Sequence, residues 1–225
     1  MAELSIRQIG DPILRTPADQ IHAVDDTVRR LISSMYEAMD QARGIGLAAP
    51  QIGRGVSIFV YSVGEARGAV INPRLSGEGE RVPTPRAAPA GAVATAPSAA
   101  QPREAEQIEE DRFINEGCLS VSGIYAPVPR YQQVTLTGLD EHGNGLELHA
   151  EGLLAACFQH EVDHLHGRLF VDRLRGERKR SAMQTLRARD YPGPQVRPGG
   201  ADGGADSAAA PAAGASFLGS GFPKG

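Results

Sequence analysis

The chain has 225 residues, a formal net charge of -4, 41% hydrophobic and 22% charged residues. That is enough for one domain with a sizeable core. The slight acidic excess leaves no electrostatic footprint for nucleic acid or a membrane surface, and no run approaches the roughly 18 apolar residues of a membrane span.

The opening MAELSIRQIGDPILR lacks a basic start followed by an apolar run, so no signal peptide is expected. With only Cys118 and Cys157, a disulfide framework is not expected either, and a cytoplasmic protein with reduced thiols is. Residues 1–24 read as extended or looped. A helix is predicted from Asp25 to Gln41, because Val28, Leu31, Ile32, Met35 and Met39 fall on one face. Asp25 and Asp26 suit its start, and Gly44 its stop.

GIGLAAPQIG, Gly44 to Gly53, is small and glycine-rich, so backbone can approach another group closely there. Val56 to Val63 and Ala69 to Ile71 read as strands by β-branched content. From about 76 to 111 the chain is rich in Ala and Pro, lacks periodicity and cannot bury much surface. A low-complexity, disordered insertion is expected there. Gln133 to Leu139 alternates as a strand, Asp140 to Gly145 is a turn, and Leu146 to His149 pairs back. A second helix is predicted from Glu151 to His166, with Gly167 at its C-terminal stop. A short polar helix is expected within 176–190. The Gly/Pro/Ala-rich tail, 191–225, is expected to be disordered.

The chemistry concentrates in the second helix. His160-Glu161-Val162-Asp163-His164 is H-E-x-x-H. Residues four apart share a helix face, so both imidazoles can reach one divalent cation. Glu161 borders the site without being needed as a ligand, and can carry a proton from water to a leaving group. The residues before the motif, Leu153 to Phe158, are mostly apolar, so the helix is a buried one whose polar groups need partners. A hydrolytic metal centre commonly has three protein ligands. Cys157 is a poor third, about 10 Å from His164 along the axis at ~1.5 Å per residue, and reads as a pocket or core residue. Cys118, in NEGCLS, can approach from another segment. A Cys-His-His set suits Zn, or softer divalents such as Fe and Ni. His22, His142, His149 and His166 read as solvent-facing or structural.

GIGLAAPQ (Gly44 to Gln51), EGCLS (Glu116 to Ser120) and QHEVDH (Gln159 to His164), in that order, resemble the three motifs of the peptide deformylases. Asp11 to Leu14, Ile71 to Pro73, Val128 to Arg130 and Gly167 to Phe170 extend the resemblance over about 3–75 and 113–175. It implies removal of the formyl group from the N-terminal methionine of newly made proteins. It implies one metal, typically Fe(II) with Ni, Co or Zn able to substitute, held by Cys118, His160 and His164. Glu161 is then the catalytic acid/base, and Gln51 and the Leu119 N–H stabilise the oxyanion. Substrate contacts fall on Gly44, Ile45, Gly46, Glu116, Gly117, Leu153, Ala156 and Cys157, with Glu116 also expected to help hold its loop. Formyl-methionyl nascent peptides are the expected partners, with transient ribosome contact and a monomeric state. Three features depart from the family: Ser122 where Pro is common, the 76–111 insertion, and the Gly/Pro/Ala tail. The fold expected is α+β, antiparallel strands around a central metal-binding helix with an outer N-terminal helix. The competing readings are an H-E-x-x-H zinc endopeptidase, which needs a downstream third ligand, and a non-catalytic metal- or formyl-peptide-binding relative.

Overall fold

The computed structural model describes residues 5–85 and 113–188. The core of the insertion and the tail, 86–112 and 189–225, lie outside the described residues. The first long element is helix α1, Asp26–Gln41. Asp25 caps it, accepting from the N–H groups of Thr27 and Val28, which satisfies two donors that the helix itself cannot. Its buried residues, Val28, Ile32, Met35, Ala38 and Met39, recur at helical spacing.

Strands β1 (Gly46–Ala48), β2 (Ile58–Val63) and β3 (Ala66–Gly77) follow, with a 3-10 turn at Ala49–Ile52 between the first two. Then come β4 (Val82–Pro83), β5 (Asn115–Cys118), β6 (Val121–Pro127), β7 (Pro129–Arg130), β8 (Gln133–Leu139) and β9 (Gly145–Glu151). Helix α2 is Gly152–Leu165, α3 is Phe170–Arg173 and α4 is Gly176–Ala188. The main sheet is antiparallel, in the order β1-β2-β3-β8-β9. Two small ribbons, β4–β7 and β5–β6, complete the strands. The α+β architecture expected from the sequence is the one found.

The sheet separates two apolar layers. On β2, Ile58 and Val60 join α1, with Leu47 and Ile71. Phe59 and Tyr61 face the other way, toward Ala155, Phe158 and Val162 of α2. Alternation along a strand sends successive side chains to opposite faces, and here both faces are covered. Hence Ile58 to Tyr61 of β2 reads as an unbroken apolar run. Phe59, Tyr61 and Phe158 form a ring cluster, the last two edge-on at 4.9 Å between centroids. A third apolar layer joins Leu14, β6, α3 and α4.

Two boundaries differ from the sequence reading. Residue 76, expected to open the insertion, lies inside β3, where Ser76 and Gly77 pair with Thr135 and Val134. Val82 and Pro83 pair with Arg130 and Pro129. Few large side chains mark this stretch, because its order comes from ladder hydrogen bonds instead. The glycine-rich Gly44 to Gly53 is also more ordered than a loop: it supplies β1 and the 3-10 turn.

Candidate metal centre

Helix α2 is threaded between the sheet and the small ribbons, so its whole length from Ala155 to Leu165 is buried except at His160, which is partly so. Gln159 secures it laterally. Its amide accepts from the Tyr131 N–H (2.9 Å) and donates to the Tyr131 carbonyl (2.8 Å). This places His160 and His164 one turn apart, with ring centroids 5.0 Å apart. Phe170 stacks on His160 at 6.1 Å.

Cys118, at the end of β5, meets them from across the site. Its Sγ lies 3.2 Å from His164 Nε2. The potential ligand atoms of Cys118, His160 and His164 all fall within 4.8 Å of one another. His160 Nδ1 is 3.1 Å from Glu116 Oε2, and that contact turns Nε2 toward the site and favours the tautomer whose Nε2 lone pair is available. Two lone-pair donors facing each other at the Cys118–His164 separation need a proton or a cation between them. One thiol and two imidazoles, with a neighbouring carboxylate oxygen, Glu161 Oε2, buried without a hydrogen-bond partner, fit a divalent cation of the Zn or Fe kind.

The electrostatics follow from burial. Burial pushes Glu161 up to about 7, against the pull of His160 and Arg130. Burial, and then the neighbouring His160 charge, hold His164 well below the usual histidine range. His160 is likewise penalised by burial, yet its hydrogen bonds to Cys118 and Glu116 carry it upward. Burial raises Cys157 as well, with Glu161 adding to it. Its thiol donates to the Ile45 carbonyl at 3.5 Å, and it takes no part in the ligand cluster.

A buried network surrounds the cluster, and its Arg130–Glu116 pair is of the kind that would hold the Glu116 loop. Arg130, fully buried, donates to both oxygens of Glu116 (2.7 and 2.8 Å) and to Asp163 (2.6 Å). Arg173 of α3 donates to Asp163 as well, from Nε and from Nη2, each at 2.5 Å. The Glu116 carboxylate is thus committed to Arg130 and His160. It holds the His160 ring, and the residue also lines the cavity where substrate contacts were expected. The signal available in sequence was a lone arginine ending an apolar strand and an acid inside the helix motif, but nothing paired them.

Gln51 is 1% exposed. Its Oε1 accepts from the Ala48 N–H at 2.8 Å, so its Nε2 points inward, 3.3 Å from Ser120 Oγ and 3.7 Å from Cys118 Sγ. Gly46 lies against Glu161: a β carbon there would collide with its carboxylate and with Cys157 Sγ. A cavity of about 380 Å³ opens over this cluster. Gly44, Ile45, Gly46, Gly117, Leu119, Leu153, Ala156 and Cys157 all line it, as do Glu116, Gln51, His160 and Glu161. Tyr125, 70% exposed, stands at its edge and was missed in the sequence. A more open hollow of about 480 Å³ over β8 and β9 is remote from this chemistry.

A family profile described as polypeptide deformylase matches residues 3–180. The peptide deformylase of Acidothermus cellulolyticus is 37% identical over 197 residues, covering 88% of this chain and 93% of that one. The peptide deformylase of Mycobacterium leprae is 38% identical over 213 residues, covering 88% and 96%. Among solved structures, a peptide deformylase from Legionella pneumophila superposes with a TM-score of 0.65 at 33% identity, over 84% of this chain and 95% of that one. One from Synechococcus elongatus, solved in complex with actinonin, gives 0.65 at 32% identity, over 82% and 86%.

Proposed function

The chain belongs to the polypeptide deformylase family, hydrolases that free N-terminal methionine of its formyl group, and on that premise we propose how its residues divide the work. Cys118, His160 and His164 hold the divalent metal, and Fe(II) is the native ion, with Ni, Co or Zn able to replace it. The observation that carries this is the convergence of one sulfur and two imidazole nitrogens within 4.8 Å. A cation so held acts as a Lewis acid and lowers the pKa of water toward ~7.

The remaining parts belong to the chain's own residues. Gln51, its amide orientation fixed by Ala48, donates from Nε2 to the oxygen that gains charge as the formyl carbon becomes tetrahedral. The N–H of Leu119 donates to the same oxygen. Preorganised donors of this kind stabilise charge as it develops, without reorganisation. Glu161 takes a proton from the attacking water and delivers it to the departing methionine amine. The methionine side chain enters the cavity beside Ile45, Leu153, Ala156 and Cys157, whose apolar surfaces suit a thioether. Backbone at Ile45, Gly46 and Gly117 contacts the peptide. The opposing H-E-x-x-H peptidase reading needs a downstream third ligand, whereas here the third donor, the Cys118 sulfur, lies upstream.

No helix among the described residues is long and apolar enough to cross a membrane. A cytoplasmic monomer that meets nascent chains, with passing ribosome contact, accords with this reading. The test is formate release from formyl-Met-Ala-Ser by anaerobically purified protein, with metal measured on the same sample. Release that requires the formyl group and stoichiometric Fe, Ni or Zn is expected. A full metal site without release would overturn the catalytic reading.

A further inference from the structure

The N-terminal segment, before a 3-10 turn at Pro12–Arg15, crosses the back of the Cys118–Ser120 loop. Its backbone is pinned at two points. The Arg7 N–H donates to the Gln51 carbonyl at 2.7 Å, and the Ile9 N–H donates to the Ser120 carbonyl at 2.8 Å. Arg7 also packs its guanidinium against Gly53, which sits at φ +76 and leaves no room for a β carbon. The segment therefore clasps both elements that carry the oxyanion donors.

Between those pins stands Gln8. Its Nε2 donates to the Leu119 carbonyl at 3.0 Å, and more distantly to the Ile6 carbonyl at 3.4 Å. Its Oε1 accepts from Ser122 Oγ at 3.1 Å. The Leu119 and Ile6 carbonyls, which only accept, fix which way the Gln8 amide faces, and the Ser122 hydroxyl donates to the amide oxygen left on the other side. The Leu119 carbonyl belongs to the Leu119–Ser120 peptide, and the other end of that peptide, the Ser120 N–H, points at Cys118 Sγ, 3.4 Å away. Four groups form one chain: Ser122 hydroxyl, Gln8 amide, Leu119–Ser120 peptide, Cys118 sulfur. Hydrogen bonds in series polarise one another, and groups behind a ligand orient it and tune the metal.

We propose that Gln8, supported by the Ser122 hydroxyl, is a positioning residue that fixes the Leu119–Ser120 peptide and so sets both the Leu119 oxyanion donor and the hydrogen bond to the Cys118 sulfur. This rests on the reading of Cys118 as ligand and Leu119 as donor. It gives a role to Ser122, which stands where the family commonly has proline. Because the backbone pins at Arg7 and Ile9 do not involve the Gln8 side chain, removing its amide leaves the segment in place.

The experiment compares the full chain with Gln8→Met, Ser122→Ala and the double variant, each loaded with cobalt(II). Two readouts are taken: kcat and KM for formyl-Met-Ala-Ser, and the energy of the sulfur-to-cobalt charge-transfer band. Gln8→Met is expected to lower kcat about three- to tenfold, the worth of one hydrogen bond, with KM within about twofold, as for an interaction made only in the transition state. Its band moves to longer wavelength, because the Ser120 N–H, no longer polarised through its peptide, bonds the sulfur more weakly and the sulfur donates more readily. Ser122→Ala moves both readouts the same way by less, and the double variant is no worse than Gln8→Met alone. Wild-type kcat and an unmoved band in Gln8→Met overturn the proposal, as do independent, multiplying losses in the double variant. A lowered melting temperature or lost cobalt in Gln8→Met also overturns it, by showing a merely structural role. If the unaltered protein shows no sulfur-to-cobalt band, the assignment of Cys118 fails first, and the two failures are told apart.

Discussion

Glu161 is set up by what surrounds it. It is 3% exposed, one of its oxygens lacks a hydrogen-bond partner, and the backbone of Gly46 presses on it. A carboxylate in such a place is a poor salt-bridge partner and a good proton carrier. It lies outside the ligand cluster of Cys118, His160 and His164. Glu161→Gln keeps the volume and removes the exchangeable proton. It should retain full metal, measured per chain, and lose ~10²- to 10⁴-fold in kcat, the usual worth of a general acid/base. Loss of the metal instead would mean that Glu161 is a ligand and that the roles are misassigned. This part of the site was legible in the sequence, because a helix turns a spacing of four into a shared face. Cys118 was legible only through its motif. Arg130, Asp163 and Arg173 were not, since a pattern in one dimension does not show which buried charges meet.

At the scale of elements, the site is a junction of β5 with α2. Glu116 stands two residues before Cys118 and Asp163 one residue before His164, and Arg130 binds both. One side chain thereby fixes the distance between two ligand-bearing segments. Asp163 keeps a second partner in Arg173, whereas among the described residues Glu116 pairs with Arg130 and the His160 ring. Arg130→Met should therefore cost about 3–5 kcal/mol, as when one member of a buried ion pair is removed, read from the denaturant midpoint. Adding Glu116→Gln should recover part of that loss, since it removes the stranded charge. An additive double variant would show that the two do not act as a pair. The long elements, α1, α2 and the β8–β9 hairpin, were predicted nearly to their ends because hydrophobic period and turn chemistry agree there. Strand β1 was not, being three residues long and introduced by glycines. The end of β3 was not, because Ser76 and Gly77 take their order from the partner strand.

Across the whole molecule, a metal held by Cys118, His160 and His164 would join regions that the apolar layers leave separate. The sheet, α1 and the buried face of α2 pack in two layers that contain no ligand sulfur. Cys118 leans on the third layer, with Leu14, β6, α3 and α4. A cation held by Cys118 and the histidines fastens that third layer to α2. Binding only the folded chain stabilises it by mass action, about 2.7 kcal/mol when free metal stands at a hundredfold excess over its dissociation constant. Stability need not be lost evenly, since proteins open in local units. Stripping the metal by anaerobic dialysis against a chelator should lower the melting temperature. It should also speed amide hydrogen exchange in β5, in the turn to β6 and in the last turn of α2. Strands β2, β3 and β8, packed on covered faces, should keep their protection. Equal acceleration everywhere would mean that the cation supports the whole fold as one cooperative unit. No acceleration in β5 would mean that the Arg130 network alone holds the junction, and that the metal adds chemistry without adding structure.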